Sequence, residues 1–375
     1  MKIIIAPDSF KGSVSAMEAA LAIEKGIKNY LPKAETVLIP VADGGEGTMD
    51  SLVDATAGKK IAAQVKGPLG TNVIAEYGQL GDGKTCIIEM ASASGLCLLP
   101  DEQKNPMKAT TYGTGQLIKE ALDDGYREFI LAVGGSATND GGAGMLQALG
   151  MKLLDASGNE VGFGGGELDR ITIIDDSQFD KRIAKSTFLL ASDVQNPFVG
   201  PTGASHVFGP QKGATPELVE ILDKKLHSWA DLIEKKTGIR LHEKPGAGAA
   251  GGIGGAFQAF FSAKMQRGID VVIEYTGLGE TVQDADLVIT GEGQIDFQTA
   301  SGKTPMGVAQ EAQKHGVPVI VLAGSIGKGI EELYQYGITS IHAIVNAPMS
   351  LQEAMKWASE LLEQKSEQII RTFNQ

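Results

Sequence analysis

Short apolar segments recur along the chain, each followed by a glycine-rich or acidic loop and then by a helical pattern, and this alternation limits the folds available. Near the N-terminus KIIIA precedes PDSFKGS, and near the C-terminus DLVIT precedes GEGQID. Strand, loop and helix in alternation imply parallel strands joined by right-handed crossovers. The 49 glycines cluster in the loops without a fixed period, which argues against a collagen-like or repeat fold. The sequence therefore predicts an α/β protein.

The distribution of these patterns predicts two α/β domains. A chain of 375 residues is long enough for two. The alternation is clear at both ends, whereas the middle contains further strands, a hairpin pattern and a long helix that begins at Thr215 and Pro216. We expect residues 1–64 and 276–375 to form one domain with an open parallel, Rossmann-like sheet, and residues 65–275 to form an inserted α/β domain.

Several elements have predicted limits. Ser15 with Glu18, and Ser350 with Glu353, have the spacing of capping boxes, and the second pair starts a long terminal helix. A helix is also predicted in the segment GIEELYQYG. Apolar runs predict strands that include Lys2–Ala6, Thr36–Val41 and Asp286–Thr290.

Charge and cysteine content exclude some functions. The chain carries 33 basic and 46 acidic residues, a net charge of -13, which argues against nucleic acid or an anionic membrane as a partner. No segment approaches the roughly 20 apolar residues of a membrane-spanning helix. Cys86 and Cys97 lie in no CxxC or Cys/His cluster, so a reducing cytoplasm is the simplest compartment.

Five predicted strand ends carry acidic or glycine-rich loops, at residues 8–12, 43–47, 134–144, 193–196 and 291–296. In an open parallel sheet, ligands bind beyond the carboxyl ends of the strands. Carboxylates there could hold Mg²⁺, glycine N–H groups could hold phosphate oxygens, and one aspartate could accept a hydroxyl proton. The loops together predict a site for a metal–phosphate complex.

Acidic and basic side chains of these loops are the candidate catalytic residues: Asp8, Lys11, Asp43, Asp193, Glu292, Asp296 and Lys303. Asp193 and the pair Glu292 and Asp296 are candidate metal ligands or proton acceptors. Lys303 precedes a predicted helix, where a cation opposes the helix dipole, and this unfavourable placement hints at function. The alternatives are helix capping for the aspartates and a solvated surface position for Lys11.

The loop GGSATNDGGAGM is a candidate nucleotide-binding loop, because glycine N–H groups at a helix start can hold phosphates. Its candidate ligands are Gly134, Gly135, Ser136, Thr138, Asn139, Asp140, Gly141 and Gly142. An Asx-turn is the alternative for Asp140. Lys212, in FGPQKGA, is a weaker candidate than Lys303. The Walker pattern GxxxxGK[ST] is absent, and the GxGxxG at Gly246–Gly251 follows no convincing strand, so a hinge or packing role is favoured there.

Seven ordered motifs resemble the type-1 glycerate kinase family: APDSFKGS, VADGGEGT, GGSATNDGGAG, SDVQNP, FGPQKGA, PGAGAAGGIG and TGEGQIDFQTASGKTP. The resemblance covers essentially the whole chain. It implies transfer of a phosphoryl group from ATP to D-glycerate with Mg²⁺ in the cytoplasm, giving 2-phosphoglycerate or 3-phosphoglycerate. It also implies two α/β domains with the active site in the cleft between them.

Two other functions can be set against this one. A nicotinamide-dependent oxidoreductase using Gly246–Gly251 would bind NADH and would not use ATP. A two-domain sugar-acid sensor would bind glycerate without Mg²⁺ or ATP. The acidic strand ends argue against the sensor, because a site that only binds an acid would favour basic and neutral donors.

Overall fold

The computed structural model describes residues 1–373 except 298 and 300–303. Its strands are β1 (Lys2–Pro7), β2 (Glu35–Leu38), β3 (Lys59–Lys66), β4 (Asn72–Gln79), β5 (Thr85–Glu89), β6 (Glu128–Ala132), β7 (Lys152–Leu154), β8 (Ile173–Asp175), β9 (Thr187–Ala191), β10 (Lys264–Gln266), β11 (Leu287–Ile295), β12 (Val319–Ile326) and β13 (Ile338–Ala343). Its α-helices are α1 (Ala16–Tyr30), α2 (Thr48–Ala55), α3 (Ala91–Ser94), α4 (Tyr112–Asp123), α5 (Ala143–Ala148), α6 (Ala204–Phe208), α7 (Pro216–Thr237), α8 (Ala249–Phe260), α9 (Gly268–Thr276), α10 (Leu278–Val282), α11 (Thr304–Gln313), α12 (Leu351–Lys356) and α13 (Ala358–Phe373).

One compact unit contains both ends of the chain: Met1–Asp43, Asp50–Ala57 and Arg267–Gln375. Its five-stranded sheet has the order β13-β12-β11-β1-β2, and every neighbouring pair is parallel. The central strand β1 buries Ile3, Ile4 and Ile5 completely, as expected for a parallel strand covered on both faces. This confirms the predicted α/β class with an open parallel sheet.

Helix α1 shows how local sequence and burial act together in this unit. The predicted capping box is present: the backbone N–H of Glu18 donates to Ser15 Oγ (3.2 Å), and that of Ser15 donates to the Glu18 carboxylate (2.8 Å). The helix buries Ile23 and Ile27 fully. Each such side chain contributes roughly 2 kcal/mol of hydrophobic stabilisation.

The second compact unit comprises Gly44–Met49 and Gly58–Gln266. Its six-stranded sheet has the order β10-β9-β6-β5-β4-β3. Strands β10, β9, β6 and β5 run parallel to one another, whereas β4 is antiparallel to both of its neighbours, β5 and β3. Strand β3, most of which the sequence analysis assigned to the terminal domain, pairs with β4 along its whole length. In this register Glu89, Ala132 and Ala191 are paired at the carboxyl ends of β5, β6 and β9.

The long helix α7 of this unit begins and ends as predicted. The backbone N–H of Leu218 donates to Thr215 Oγ1, Pro216 is the first helical residue, and Gly238 ends the helix with a φ of 77°. Trp229 is fully buried, and its indole N–H donates to the carbonyl oxygen of Gly141 (3.1 Å). The helix therefore supports the glycine-rich loop directly.

Four predicted elements differ from the structure. The strand predicted over Thr36–Val41 is shorter, since β2 spans Glu35–Leu38. Strand β11 continues past Thr290 to Ile295, because its glycine-containing end still pairs with β12. The predicted terminal helix is interrupted at Trp357, which is 47% exposed. The segment Ile330–Tyr336 is a 3₁₀-helix, not an α-helix. Among the described residues, every helix falls short of the length or apolar character that a bilayer crossing requires.

Candidate active site

Asp8 is the best-defined candidate residue of the first unit. It directly follows β1 and accepts two hydrogen bonds, from Thr304 Oγ1 (2.5 Å) and from the backbone N–H of Ser9 (2.6 Å). Burial and the negative charge of Asp43 raise the pKa of Asp8 to about 7, although both hydrogen bonds act to lower it. The structure thus brings Asp8 and Asp43 together, and it gives Asp8 a pKa suited to proton exchange near neutral pH.

Glu292 and Asp296 occupy the end of the neighbouring strand β11. Pro7 pairs with Gly291, so Asp8 and Glu292 follow the same paired position. Thr299 Oγ1 donates to Glu292 Oε1 (3.1 Å) and accepts from the backbone N–H of Asp296 (3.3 Å). Glu292 lies within the strand, so the prediction that both carboxylates belong to a loop is wrong for Glu292.

Of the two candidate lysines of this unit, Lys11 lies within the described residues and Lys303 does not. The backbone of Lys11 passes close to β11, because a Cβ on Gly293 would lie 3.6 Å from the Lys11 nitrogen, and the residue is exposed. Lys303 lies outside the described residues, so its role stays a prediction.

In the second unit, the loop after β6 forms a buried polar cluster with Lys212. The Lys212 ammonium donates to Ser136 Oγ (2.8 Å) and to the carbonyl oxygen of Thr138 (2.7 Å). Asn139 Nδ2 donates to Ser205 Oγ (2.9 Å). Burial lowers the pKa of Lys212 to about 7, against the opposing effect of the Asp140 charge. Lys212, ranked below Lys303 in the sequence analysis, is therefore central to this loop.

Asp140 acts within the protein. Its carboxylate accepts from the backbone N–H of Thr111 (2.8 Å), the Thr111 hydroxyl (2.9 Å), and the backbone N–H groups of Gly142 (3.2 Å) and Gly144 (3.3 Å). Burial raises its pKa despite these bonds. Two N–H groups at the start of α5 are thus already bonded to Asp140. The expectation that the helix start offers them to phosphate is wrong, since the Asx-type alternative describes Asp140.

Gly134 and Gly135 are the more accessible part of this loop. Gly135 is exposed and Gly134 is partly so. A Cβ on Gly134 would lie 2.6 Å from the Cα of Gly45, so the loop of residues 44–47 passes directly against it. Among the residues described, two buried polar atoms near these glycines, Thr138 Oγ1 and Asn139 Oδ1, have no hydrogen-bond partner. Unsatisfied buried polar atoms call for a ligand or water.

Glu89 is a candidate site residue that the sequence analysis did not name. It ends β5, is 7% exposed, and accepts a hydrogen bond from the backbone N–H of Gly47 (2.8 Å). A carboxylate that directly follows the apolar run TCII was the available signal. Glu89 holds the loop of residues 44–47 beside Gly134.

Asp193 follows β9, the neighbour of β6. Ala132 pairs with Ala191, so Gly134 and Asp193 each lie two residues beyond the same paired position, and Asp193 is exposed. Asp193 belongs to the second unit, whereas Glu292 and Asp296 belong to the first.

The GxGxxG segment has a packing role. The carbonyl oxygen of Gly251 accepts from the backbone N–H of Gly141 (3.0 Å), and a Cβ on Gly251 would lie 2.0 Å from the Thr138 carbonyl oxygen. In the described structure no strand leads into Gly246, as a dinucleotide fingerprint requires. The glycines allow α8 to approach the loop after β6.

The first unit carries carboxylates at the ends of parallel strands, including Asp8 with its raised pKa. The second unit carries glycine-rich loops beside a buried lysine at the ends of its parallel strands. Both features fit an α/β enzyme that transfers phosphoryl groups. The comparisons with known proteins identify the family. The model of the "Glycerate kinase family" matches residues 3–374, and the chain belongs to this family.

Individual relatives are similar over nearly their full lengths. The "Glycerate kinase" of Bacillus subtilis is 52% identical, with 98% of this chain and 97% of the relative covered. The "Glycerate 2-kinase" of Escherichia coli is 48% identical, with 100% and 98% covered. The crystal structure of a putative glycerate kinase 2 from Salmonella typhimurium superposes with a TM-score of 0.90 at 47% identity, covering 100% of this chain and 98% of that one. The prediction of a kinase is confirmed.

Proposed function

We propose that this protein transfers the γ-phosphoryl group of ATP to D-glycerate and forms 2-phosphoglycerate, as a type-1 member of its family in the reducing cytoplasm. The family match over residues 3–374 carries the assignment of substrate class. The printed name of the Escherichia coli relative supports the 2-position. The seven ordered motifs support the type-1 branch.

Asp8 is proposed as the group that accepts the proton of the attacking hydroxyl. A general base works best when its pKa lies near the working pH, and the pKa of Asp8 is raised to about 7 by burial and by Asp43. The hydroxyl of Thr304 and the backbone N–H of Ser9 fix the orientation of the carboxylate. The substrate hydroxyl would become a better nucleophile as its proton moves to Asp8.

Glu292 and Asp296 fit Mg²⁺, because this ion prefers oxygen ligands and both carboxylates lie at one strand end with Thr299 between them. We propose these two as the residues that would hold it, and Asp193, which follows β9, stays a candidate metal ligand by the sequence argument alone. The ion would neutralise negative charge on the phosphate oxygens. Lys11, and Lys303 by the sequence argument, are proposed to attract the anionic groups of the substrates.

The phosphates of ATP are proposed to bind at Gly134, Gly135 and Ser136, beside Lys212. An ammonium has three donors, and two of those on Lys212 are bonded to Ser136 Oγ and the Thr138 carbonyl. With a pKa lowered to about 7, Lys212 can take up a proton when an anionic phosphate arrives. Thr138 and Asn139 carry the unsatisfied atoms that a ligand or water would reach.

The test is to incubate the purified protein with ATP, Mg²⁺ and D-glycerate, and to record ADP release and the ³¹P spectrum. We expect a new phosphomonoester signal that requires all three components and has the coupling pattern of a secondary ester. A primary ester would refute the 2-position alone. No ADP above a glycerate-free control would refute the substrate, and NADH binding would then favour the oxidoreductase.

Two variants test the site. Asp8→Asn should lower kcat by about 100-fold or more, as expected for loss of a general base. Asp82→Asn is the matched control, because Asp82 is an exposed aspartate whose hydrogen bonds within the described part of the chain come from its own turn, from Lys84 and Thr85. Equal turnover in both variants would remove Asp8 from the chemistry.

A further inference from the structure

A cluster of side chains that could bind a metal ion lies on α7 and on the segment that follows it, separate from the loops described above. Within the part of the chain that is described, His227, Asp231 and His242 form a group whose potential ligand atoms all lie within 4.8 Å of one another. His227 and Asp231 are one helical turn apart on α7, and their side chains are 55% and 60% exposed. His242 comes from the segment after the helix and is 3% exposed. The cluster is thus open to solvent on one side and anchored by a buried ring on the other.

Two distances from the Asp231 carboxylate are close to those of a tetrahedral metal shell, and the potential ligand atoms of the whole group lie within 4.8 Å of one another. His242 Nε2 lies 2.9 Å from Asp231 Oδ1, and His227 Nδ1 lies 3.4 Å from Asp231 Oδ2. Ligand atoms about 2.0–2.1 Å from a tetrahedral Zn²⁺ are separated by about 3.3 Å. The two imidazole rings have a centroid separation of 4.6 Å and an interplanar angle of 70°, so they do not stack face to face. Small side-chain movements would therefore suffice to coordinate an ion.

The buried ring of His242 lies between two carboxylates. Its Nε2 faces Asp231, while its Nδ1 makes no hydrogen bond and lies 3.8 Å from Glu234 Oε2. A neutral imidazole carries one N–H, so one ring nitrogen would present a lone pair to a carboxylate. A metal ion between Nε2 and Asp231 removes this conflict, because Nδ1–H then faces Glu234. Metal-bound histidines commonly donate their second N–H to a carboxylate in this way.

We propose that His227, Asp231 and His242 bind Zn²⁺ or a chemically similar transition-metal ion, with Glu234 orienting His242. Two imidazoles and one carboxylate suit such ions, whereas Mg²⁺ prefers sites made of oxygen alone. Three protein ligands leave the fourth tetrahedral position to water. The site is independent of the proposed kinase mechanism.

The expected consequence is a tighter connection between α7 and the segment that follows it. The carbonyl oxygen of His242 accepts from the backbone N–H of Val199 (3.3 Å), and Asp223 of α7 accepts from that of Gly200 (3.0 Å). The ion would add a cross-link between two elements that already hold residues 199–200. An ion that binds only the folded protein raises its melting temperature as the free ion concentration rises.

The experiment uses the full-length protein after treatment with a chelator and its removal. Zn²⁺ binding is measured by competition with a chromophoric chelator, and Co²⁺ is used as a spectroscopic probe, in a large excess of Mg²⁺. We expect one site that Mg²⁺ does not block, a Co²⁺ visible spectrum of tetrahedral type, and a rise in melting temperature with Zn²⁺. His227→Ala and Asp231→Asn alter exposed ligands, so folding should persist while affinity falls at least tenfold. Glu234→Gln should weaken binding by about 10-fold to 100-fold.

His206→Asn is the matched control. His206 also contacts α7 carboxylates, with Nε2 3.1 Å from Glu220 Oε1 and Nδ1 3.6 Å from Asp223 Oδ1, but it lies outside the cluster. We expect its Zn²⁺ affinity to equal that of the wild type. Binding that His206→Asn lowers as much as His227→Ala, or that survives in His227→Ala, would overturn the proposal. No binding at all would also overturn it.

Discussion

Asp8→Asn should make the folded protein more stable at alkaline pH while it lowers activity. The pKa of the Asp8 carboxyl is raised from an ordinary value of 3.8 to about 7 by burial and by Asp43. Between these two values the folded protein retains a proton that the unfolded chain has released. Its stability therefore falls as the pH rises through this range. Asparagine cannot ionise, so the variant avoids this loss.

The size of the effect follows from the two pKa values. Each pKa unit corresponds to about 1.4 kcal/mol, so the full shift from 3.8 to about 7 amounts to about 4 kcal/mol. Between about pH 5.5, which is above the isoelectric point of 4.9, and about pH 8.5, the wild type loses about half of this free energy, or about 2 kcal/mol. Asparagine has one acceptor oxygen for the two donors Thr304 and Ser9, which costs roughly 1–2 kcal/mol. That cost is nearly independent of pH, so the change in ΔΔG with pH isolates the ionisation of Asp8.

The assay is urea unfolding of wild type and variant, followed by circular dichroism in a Mg²⁺-free buffer at both pH values. The free energy of unfolding of Asp8→Asn minus that of wild type should rise by about 2 kcal/mol from the lower to the higher pH. Asp82→Asn should show no such rise, because hydrogen bonds from Thr85 and Lys84 outweigh burial and lower the pKa of Asp82 below this range. A difference for Asp8→Asn that does not change with pH would refute the raised pKa, and with it the proposed base.

Three further changes test the second unit. Burial lowers the pKa of Lys212 to about 7, so between about pH 7 and pH 10.5 the unfolded chain binds more protons than the folded protein and the free energy of unfolding of the wild type should rise. Lys212→Met should flatten this rise, and equal pH profiles in wild type and variant would contradict the lowered pKa. Gly251→Ala should lower the free energy of unfolding by several kcal/mol, because the φ of Gly251 is +70° and its Cβ would lie 2.0 Å from a carbonyl oxygen. Gly238→Ala is the control: its φ is +77° but nothing lies within 4 Å of its Cβ, so it should cost about 1 kcal/mol. Equal costs would refute the clash at Gly251. Glu89→Ala should lower kcat/KM about 10-fold, whereas Glu89→Gln should retain most activity because Gln keeps an acceptor for the Gly47 N–H. A wild-type value for Glu89→Ala would show that this bond does not position the loop of residues 44–47.

The elements that were predicted correctly depend on neighbouring residues. Ser15 and Glu18 form the capping box that their spacing indicates, and Thr215 with Pro216 starts α7. A cap is formed by side chains that reach backbone groups two or three positions away, so sequence alone contains the whole interaction. The parallel sheet of the first unit was predictable for a related reason, since strand and helix alternate along the chain.

The end of β11 shows where this approach fails. Apolar periodicity stops at Thr290, because Gly291 and Gly293 contribute no apolar side chains. The strand nevertheless continues, since backbone pairing with β12 extends to Ile295 and Ile326 and does not depend on side-chain type. A pattern built on side chains cannot detect hydrogen bonds between backbones about 30 residues apart, a separation typical of the parallel strand–helix–strand unit.

The ranking of polar residues within the loops fails for the same physical reason. Asp140 was a candidate phosphate-loop residue, but its carboxylate is bonded to Thr111, which lies 29 positions earlier, and to nearby backbone N–H groups. Lys212 was ranked low, yet its ammonium bonds to residues 76 and 74 positions earlier in the loop after β6. Each assignment depends on which long-range partner is present, because a buried charge is stable only when other groups of the fold bond to it. The motifs thus indicate which loops carry the polar groups, whereas the tertiary partners decide which of these groups stay available to a ligand.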